Sequence, residues 1–393
     1  RSTLVSTLFP YTTLFRSATI TKDSIKVSEG KTYQTKGITF SKDRAMQLEC
    51  TIRSFMAYCQ DVDMIDLIVF YKASNNNYES QYGELKKEYP NVVFIKENYF
   101  KDDLVNLISE YKKVLFLVDD NIFVREFYLR DMAQALDDHP ESLGFSMRLG
   151  KNTNYCYMLS KPQAYPLFKE IDNNVLLYEW LSAECDFGYP LELSSSLYRT
   201  EDILPFIKQL DFVNPNTLEA LMDANKMVYA QSKGKLLCFE QSVTFCNPVN
   251  VVQNVFKNRH GGTETYSPER LSRLFDDGYR IDAQMFMNFV PNSCHQEKAL
   301  EFINRYTGER LSMEGDGFPL VSIMILNYSR LNDIKMCLDS IKRNTPERHE
   351  IIVVDNASND GSIEYLRTVP EIVLVENKEN IGCPPARAQI GRA

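Results

Sequence analysis

The sequence predicts an α/β protein built on a parallel, doubly wound sheet, and it predicts that arrangement twice. Short continuous apolar runs alternate with stretches of helical period from residue 36 onward. Strands buried on both faces, joined by crossover helices, give that pattern. Near 305–318 the chain turns polar and glycine-rich, "RYTGERLSMEGDGFP", and the alternation then restarts.

The first copy opens with a strand, "KGITF", followed by a helical stretch, "DRAMQLECTIRSFMAYC". Met46, Leu48, Ile52, Phe55 and Met56 give that helix a largely apolar face, and Asp43 is placed to cap it. "MIDLIVFY" is the second strand, "KASNNN" a turn and "NVVFIKE" the third strand. The helix "KDDLVNLISEYKK" leads into a fourth strand, "VLFLVDD". In the second copy "VSIMILNYSR" is a strand, "LNDIKMCLDSIKRN" a helix, "HEIIVVDNASNDGS" a strand and turn, and "EIVLVEN" a strand.

The copies align residue by residue. "FSKDRAMQLECTIRSF" lies on "LNYSRLNDIKMCLDSI", which sets Arg44 opposite Arg330 and Ser54 opposite Ser340. "YKASNNN" lies on "DNASNDG", with a shift of two residues between the two alignments. The expected organisation is a first domain over 18–310, a linker over 311–318, and the first part of a second domain over 319–388.

Composition narrows the function. The chain has 393 residues, 44% hydrophobic and 25% charged, a globular balance with room for a sizeable core. A net charge of −9 argues against general nucleic-acid binding, which favours clustered basic charge. No apolar run approaches the roughly 18–20 residues of a membrane span. Nine cysteines without paired spacing, beside only four histidines, read as buried free thiols in a reducing compartment. The expected location is the cytoplasm, with peripheral attachment at the inner membrane face as the alternative.

Both ends stand apart. "RSTLVSTLFPYTTLFRS" (Arg1–Ser17) repeats T-L-F, has no secretory layout, and resembles translated short-read sequencing adapter. Gln389–Ala393, "QIGRA", resembles the opposite adapter. Both are set aside, and the sequence reads as a fragment of a longer protein from assembled environmental DNA.

The second copy resembles the start of a family 2 glycosyltransferase of the GT-A, Rossmann-like, nucleotide-diphospho-sugar transferase fold. "VSIMILNYSR", "IIVVDNASNDGS" and "ENIGCPPAR" carry the resemblance. It implies that Asp355 contacts the uracil or ribose of a nucleotide sugar, that Tyr328 stacks near the base, and that Arg387 holds the nucleotide. The family's usual Asn after that arginine is replaced by Ala388, and its metal-binding carboxylates would lie beyond the end of this chain.

The first copy resembles a complete, divergent GT-A domain. Its "VLFLVDDN" stands where such transferases carry an Asp-x-Asp motif. The resemblance implies a Mn²⁺ or Mg²⁺ ion that neutralises a diphosphate leaving group, hard cations taking carboxylate oxygens at a strand end of a parallel sheet. Asp120 is the preferred metal ligand and Asp119 the ribose or water contact. Two solvated acids at a strand end are the plain alternative. Tyr71 stands in the place of Asp355, close to Ser74, so a nucleotide contact there is altered or made by stacking. Ser41, Lys42 and Arg44 follow the first strand, where basic groups meet phosphate.

Further along, "CDFGYPLELSSSLYRTEDILPFI" resembles the acceptor side of such enzymes. Glu219, in "DFVNPNTLEALM", is the candidate general base, with Asp186, Glu201 and Asp202 as competitors. His260, in "FKNRHGG", is a candidate further metal ligand, or an exposed loop histidine. "CHQE" at 294–297 reads as structural. Trp180 either stacks on an acceptor sugar or belongs to the core.

The expected function is a bacterial-type, metal-assisted glycosyltransferase with tandem modules, moving a sugar from a nucleotide-diphosphate donor, UDP-type first, to a glycan or other hydroxyl acceptor. A sugar-nucleotide pyrophosphorylase would carry a G-x-G-T-R loop, and "FSKDRAM" has none. The non-enzyme alternative is a degenerate module that binds glycan or scaffolds the second one.

Overall fold

The computed structural model describes residues 34–171, 174–250, 252, 266–312, 321–345, 349–369, 372–383 and 385. The adapter-like ends, His260 and Arg387 lie outside these residues. The chain divides into two compact units, Arg1–Met313 and Glu314–Ala393.

The first unit begins β1 (Thr35–Lys42), α1 (Ala45–Tyr58), β2 (Ile65–Lys72), α2 (Asn76–Glu88), β3 (Val93–Lys96), α3 (Phe100–Ile108), β4 (Lys113–Val118). It continues β5 (Asn121–Phe123), α4 (Leu129–Asp138), β6 (Ser142–Ser146), β7 (Tyr155–Cys156), β8 (Lys161–Pro162), β9 (Lys169–Ile171), β10 (Val175–Glu179) and β11 (Ser195–Arg199). Then come α5 (Thr200–Gln209), α6 (Pro215–Ala224), β12 (Lys235–Phe239), β13 (Thr244–Cys246), α7 (Pro268–Asp276), β14 (Tyr279–Ile281), β15 (Glu301–Asn304) and β16 (Arg310–Ser312). The second unit is β17 (Val321–Asn327), α8 (Leu331–Asn344), β18 (His349–Asp355), α9 (Ser362–Leu366) and β19 (Ile372–Glu376).

A nine-stranded sheet, in the order β3-β2-β1-β4-β11-β6-β12-β10-β9, forms the frame of the first unit. Its first four strands are parallel, as the alternation predicts. The rest departs from a purely parallel sheet: β11 runs antiparallel to both β4 and β6. An apolar run carries no record of its direction, so this reversal is invisible in hydropathy. Alternate residues of each strand feed two cores. Leu115 and Leu117 pack with α1, α4 and α7, while Val114 and Phe116 pack with α3, α5 and α6.

Several local expectations are corrected. The stretch after β2 contains a full helix, α2, whose buried face is Tyr78, Gln81, Tyr82 and Leu85. Asn75 caps it by accepting from the Tyr78 N–H. Asp43 does not cap α1. Arg44 is the N-cap residue, and Asp43 sits at φ 57°, where its carboxylate turns to Ser74. Trp180 is a core residue, 2% exposed, with its indole N–H donating to the Lys233 carbonyl. It therefore presents no face to an acceptor. Cys337 and Cys383 are exposed, so the thiols are free but not all buried. Arg310–Ser312 pairs with β15, which draws the start of the expected linker into the first unit.

The second unit is a parallel three-stranded sheet, β17-β18-β19, with α8 of the expected bounds. The repeat extends to backbone angles. Asp43 and Ser329 both have left-handed φ, 57° and 49°, and Arg44 and Arg330 have φ of −133° and −135°.

Candidate active site

The carboxyl ends of β1, β2 and β4 lie side by side, with Phe40 opposite Val118 and Ser41 opposite Tyr71. Asp119 and Asp120 follow directly from β4. Their environments differ. Asp119 is buried: Ser41 Oγ donates to it at 2.9 Å, the Lys42 N–H at 3.3 Å, and Arg44 Nη1 at 2.8 Å. Burial pushes its carboxyl up, and the Arg44 guanidinium opposes that shift. Asp120 is more open, and its nearest cation is Arg44 Nη1 at 3.5 Å.

Arg44 is held in place by these contacts. Its Nε donates to Asn250 Oδ1 at 2.9 Å and its Nη2 to the Asn250 carbonyl. All three guanidinium nitrogens therefore already have protein acceptors. Lys42 Nζ donates to the Val252 carbonyl at 3.2 Å.

These residues wall a cavity of about 540 Å³, which also takes in Phe40, Phe70 and Phe100. Tyr71 and Ser74 do not line it. The Tyr71 hydroxyl donates to Glu79 and its ring packs on Tyr82 at 4.3 Å. Ser74 binds Asp43.

A second cavity, about 430 Å³, lies on the side of β6 and β11. Met158, Ser194, Asn216, Glu219 and His295 line both. Glu219 reaches that junction through its helix. "NPNT" starts α6 with a capping box between Asn214 and Thr217 and with Pro215 in the first turn. Leu218 and Met222 bury one face, which leaves Glu219 beside the cavities. The Leu193 N–H donates to Glu219 Oε1 at 3.0 Å. Burial raises its pKa to about 7; the Leu193 bond works against that rise and the nearby Glu192 adds to it.

The competing acids fall elsewhere or serve otherwise. Asp202 is paired with Arg199 at 3.0 Å and Lys233 at 2.9 Å, and Glu201 is exposed on α5. Asp186 lines the second cavity, without reaching the first.

His295, set aside in the sequence as structural, stands in the wall of both cavities. Its Nε2 lies 3.2 Å from Arg148 Nη1. Burial, with Arg148 adding to it, lowers its pKa to about 3, so the ring is neutral. Arg148 is locked in turn to the buried Glu192 at 2.8 Å. No sequence signal marks this cluster, because Arg148 and His295 are distant in the chain.

Among the described residues there is no group of three His, Cys, Asp or Glu side chains that could hold a metal ion. The donor set at β4 is one open carboxylate, Asp120, beside a carboxylate already tied to Arg44. That set suits a cation coordinated mainly by a ligand's phosphates.

In the second unit, Asp355 is fully buried. It accepts from Asn327 Nδ2 at 2.7 Å and from the N–H and hydroxyl of Ser358, each at 2.8 Å. Tyr328 is half exposed.

Residues 322–391 match the model of glycosyl transferase family 2. A curated relative, "Bifunctional glycosyltransferase pgtA" of Dictyostelium discoideum, is 31% identical over 255 residues, covering 56% of this chain and 32% of its own length. The chain thus spans about a third of that relative. Among solved structures, S. aureus TarS 1-349 in complex with UDP overlays at TM-score 0.38 and 15% identity, covering 54% of this chain and 59% of that one. The mannosyltransferase PcManGT of Pyrobaculum calidifontis, in complex with GDP-Man and Mn2+, overlays at 0.32 and 11%, covering 49% and 52%. Both overlays are weak, and the α/β fold stands on this chain's own strand order. No described helix is long and apolar enough to cross a membrane.

Proposed function

We propose that the first unit is a glycosyltransferase of GT-A type, moving a sugar from a nucleotide-diphosphate donor to a hydroxyl acceptor. The observation that carries this reading is the meeting of two cavities at Glu219, one of them holding the Asp119–Asp120 strand end. A transfer needs a donor site, an acceptor site and a base between them. The family match of the second unit and the 31% identity to the Dictyostelium protein support it.

In this reading the first cavity takes the nucleotide diphosphate. Asp120 would hold a divalent cation, Mn²⁺ or Mg²⁺. When bound, that cation supplies charge neutralisation of the leaving diphosphate. Arg44 fixes the Asp119 carboxylate, and Asp119 orders the β1 end through Ser41 and Lys42. Glu219 accepts the proton of the acceptor hydroxyl as it attacks, and a pKa near 7 keeps it basic at neutral pH without making it inert. A first domain that reaches Ser312, where β16 pairs with β15, and the second unit as a further transferase module complete the proposal.

The test is release of nucleoside diphosphate from UDP-, GDP-, dTDP- and CDP-sugars, with Mn²⁺ or Mg²⁺ and a panel of methyl glycosides. Glycoside-dependent release from one donor, lost in Glu219→Gln, is expected. No release from any donor would favour the scaffold or glycan-binding alternative, for which the tying-up of Arg44 and the displacement of Tyr71 are the specific observations.

A further inference from the structure

Glu219 is held by a turn, and the turn is held by a buried ion pair. Arg148 Nη2 donates to Glu192 Oε2 at 2.8 Å, and both residues are buried. The same oxygen accepts from the Ser194 N–H at 2.6 Å and from the Ser195 N–H at 3.1 Å, while Oε1 accepts from the Ser196 hydroxyl. A side chain that takes the N–H groups two and three residues on fixes a tight turn. The N–H of Leu193, inside that turn, is not used by Glu192. It donates to Glu219 Oε1 at 3.0 Å.

The pair also ties two strands together. Arg148 lies just past the end of β6 and Glu192 just before β11, and these strands run antiparallel side by side. Arg148 reaches Cys246 Sγ at 3.3 Å and His295 Nε2 at 3.2 Å as well. The place of the Glu219 carboxylate is therefore set from the sheet as well as from α6. Desolvation offsets much of the attraction within a buried pair, so stability alone is weak ground for keeping one. Apolar side chains could fill the same space, but they would hold neither Ser194 nor Ser195.

The surroundings of Glu219 carry both signs of charge. Glu192 opposes its ionisation and Arg148 favours it. Asp223, on the same helix, is paired with Lys226 at 2.8 Å. Tyr189 and Tyr198 are raised by burial and His295 is lowered by it, so all three are neutral near pH 7. Asp186 shares the wall of the second cavity, and Asp120 and the Arg44-bound Asp119 line the first.

We propose that Arg148 and Glu192 are positioning residues for Glu219: their ion pair pins the 192–196 turn, aims the Leu193 N–H at the Glu219 carboxylate, and sets one charge of each sign near it. That Glu219 then acts as a base rests on the transferase reading above; the seating of its carboxylate does not.

The Leu193 amide reports on this seating, because a donor's proton shift follows the ionisation of its acceptor. The test is proton–nitrogen NMR of the full chain with nitrogen-labelled leucine across neutral pH, the Leu193 signal being identified by its loss in Leu193→Ile. In the wild type that signal should titrate with a midpoint of about 7, and Glu219→Gln should abolish the titration. Glu192→Gln leaves Arg148 unopposed and should lower the midpoint by about one pH unit, whereas Arg148→Met leaves Glu192 unopposed and should raise it by about as much. The double variant Arg148→Met/Glu192→Gln should return the midpoint towards the wild-type value. A pair that served stability alone would shift the melting temperature and leave the midpoint in place. A Leu193 amide that does not titrate in the wild type, a midpoint unmoved by both single substitutions, or one moved the same way by both overturns the proposal. Where only one single variant folds, as its melting curve shows, a midpoint that is unmoved or moves against the stated direction overturns it. None of these readings needs a donor or an acceptor. If the midpoints move as stated while no nucleotide sugar is turned over, the positioning stands and the transferase reading falls.

Discussion

Asp43 accepts two hydrogen bonds from Ser74, one from its N–H at 2.7 Å and one from its hydroxyl at 2.5 Å. In the second unit, Ser358, at the repeat position of Ser74, makes the same two bonds to Asp355. The carboxylate has changed sides: it comes from the loop after the first strand in one copy and from the end of the second strand in the other. That exchange accounts for Tyr71, which is free to take the place of Asp355 because Asp43 organises the turn.

Asp43→Ala should therefore destabilise the first unit by about 1–3 kcal/mol, the cost of unsatisfied groups at a part-buried turn and of a left-handed alanine. Asp43→Asn should cost less, since Asn tolerates that backbone and keeps one acceptor. The single tryptophan, Trp180, is buried in this unit, so urea unfolding followed by its fluorescence reports on it selectively.

Removing one member of the buried Arg44–Asp119 pair should cost more. Arg44→Met leaves a buried carboxylate next to Asp120 and should lose about 3–5 kcal/mol. The double variant Arg44→Met/Asp119→Asn should recover a large part of that loss. Additive effects in the same unfolding experiment would show that the two side chains are not coupled.

Glu219 sets a pH dependence whose sign follows from its raised pKa. The base form is populated above about pH 7, so kcat should rise with pH through that value. Glu219→Gln should lower kcat by about 10²–10⁴-fold and remove that limb. Stability should show the opposite trend. The folded state holds the Glu219 proton to higher pH than the unfolded chain, so this group stabilises below about pH 4, and its contribution declines between there and pH 7. At pH 8 the Gln variant should be more stable than the wild type by roughly 1–3 kcal/mol.

Much of this architecture was legible where strands are continuous apolar runs. β1, β2, β4, β17 and β18, with α1 and α8, stand close to where the hydrophobic period puts them. α2 was missed because its inward face is Tyr78, Gln81, Tyr82 and Leu85, a helical spacing carried by polar and aromatic residues. Strand direction left no trace, so β11 could not be oriented before the structure. In the site, Asp119, Asp120 and Glu219 could be singled out from local motif and spacing. His295 and Arg148 could not, because their meaning lies in a contact made across the fold.

The central claim is that Asp120 serves a metal-bound nucleotide. It is tested most directly by the thermal stability of the chain with UDP, GDP, dTDP or CDP, each with and without Mn²⁺, beside Asp120→Ala. A ligand at a hundredfold excess over its Kd stabilises by about 2.7 kcal/mol. The account predicts that one nucleotide stabilises the wild type only when Mn²⁺ is present, and that Asp120→Ala abolishes the effect at an unchanged ligand-free melting temperature. Equal stabilisation of the wild type and Asp120→Ala, or none by any nucleotide with metal, would contradict it.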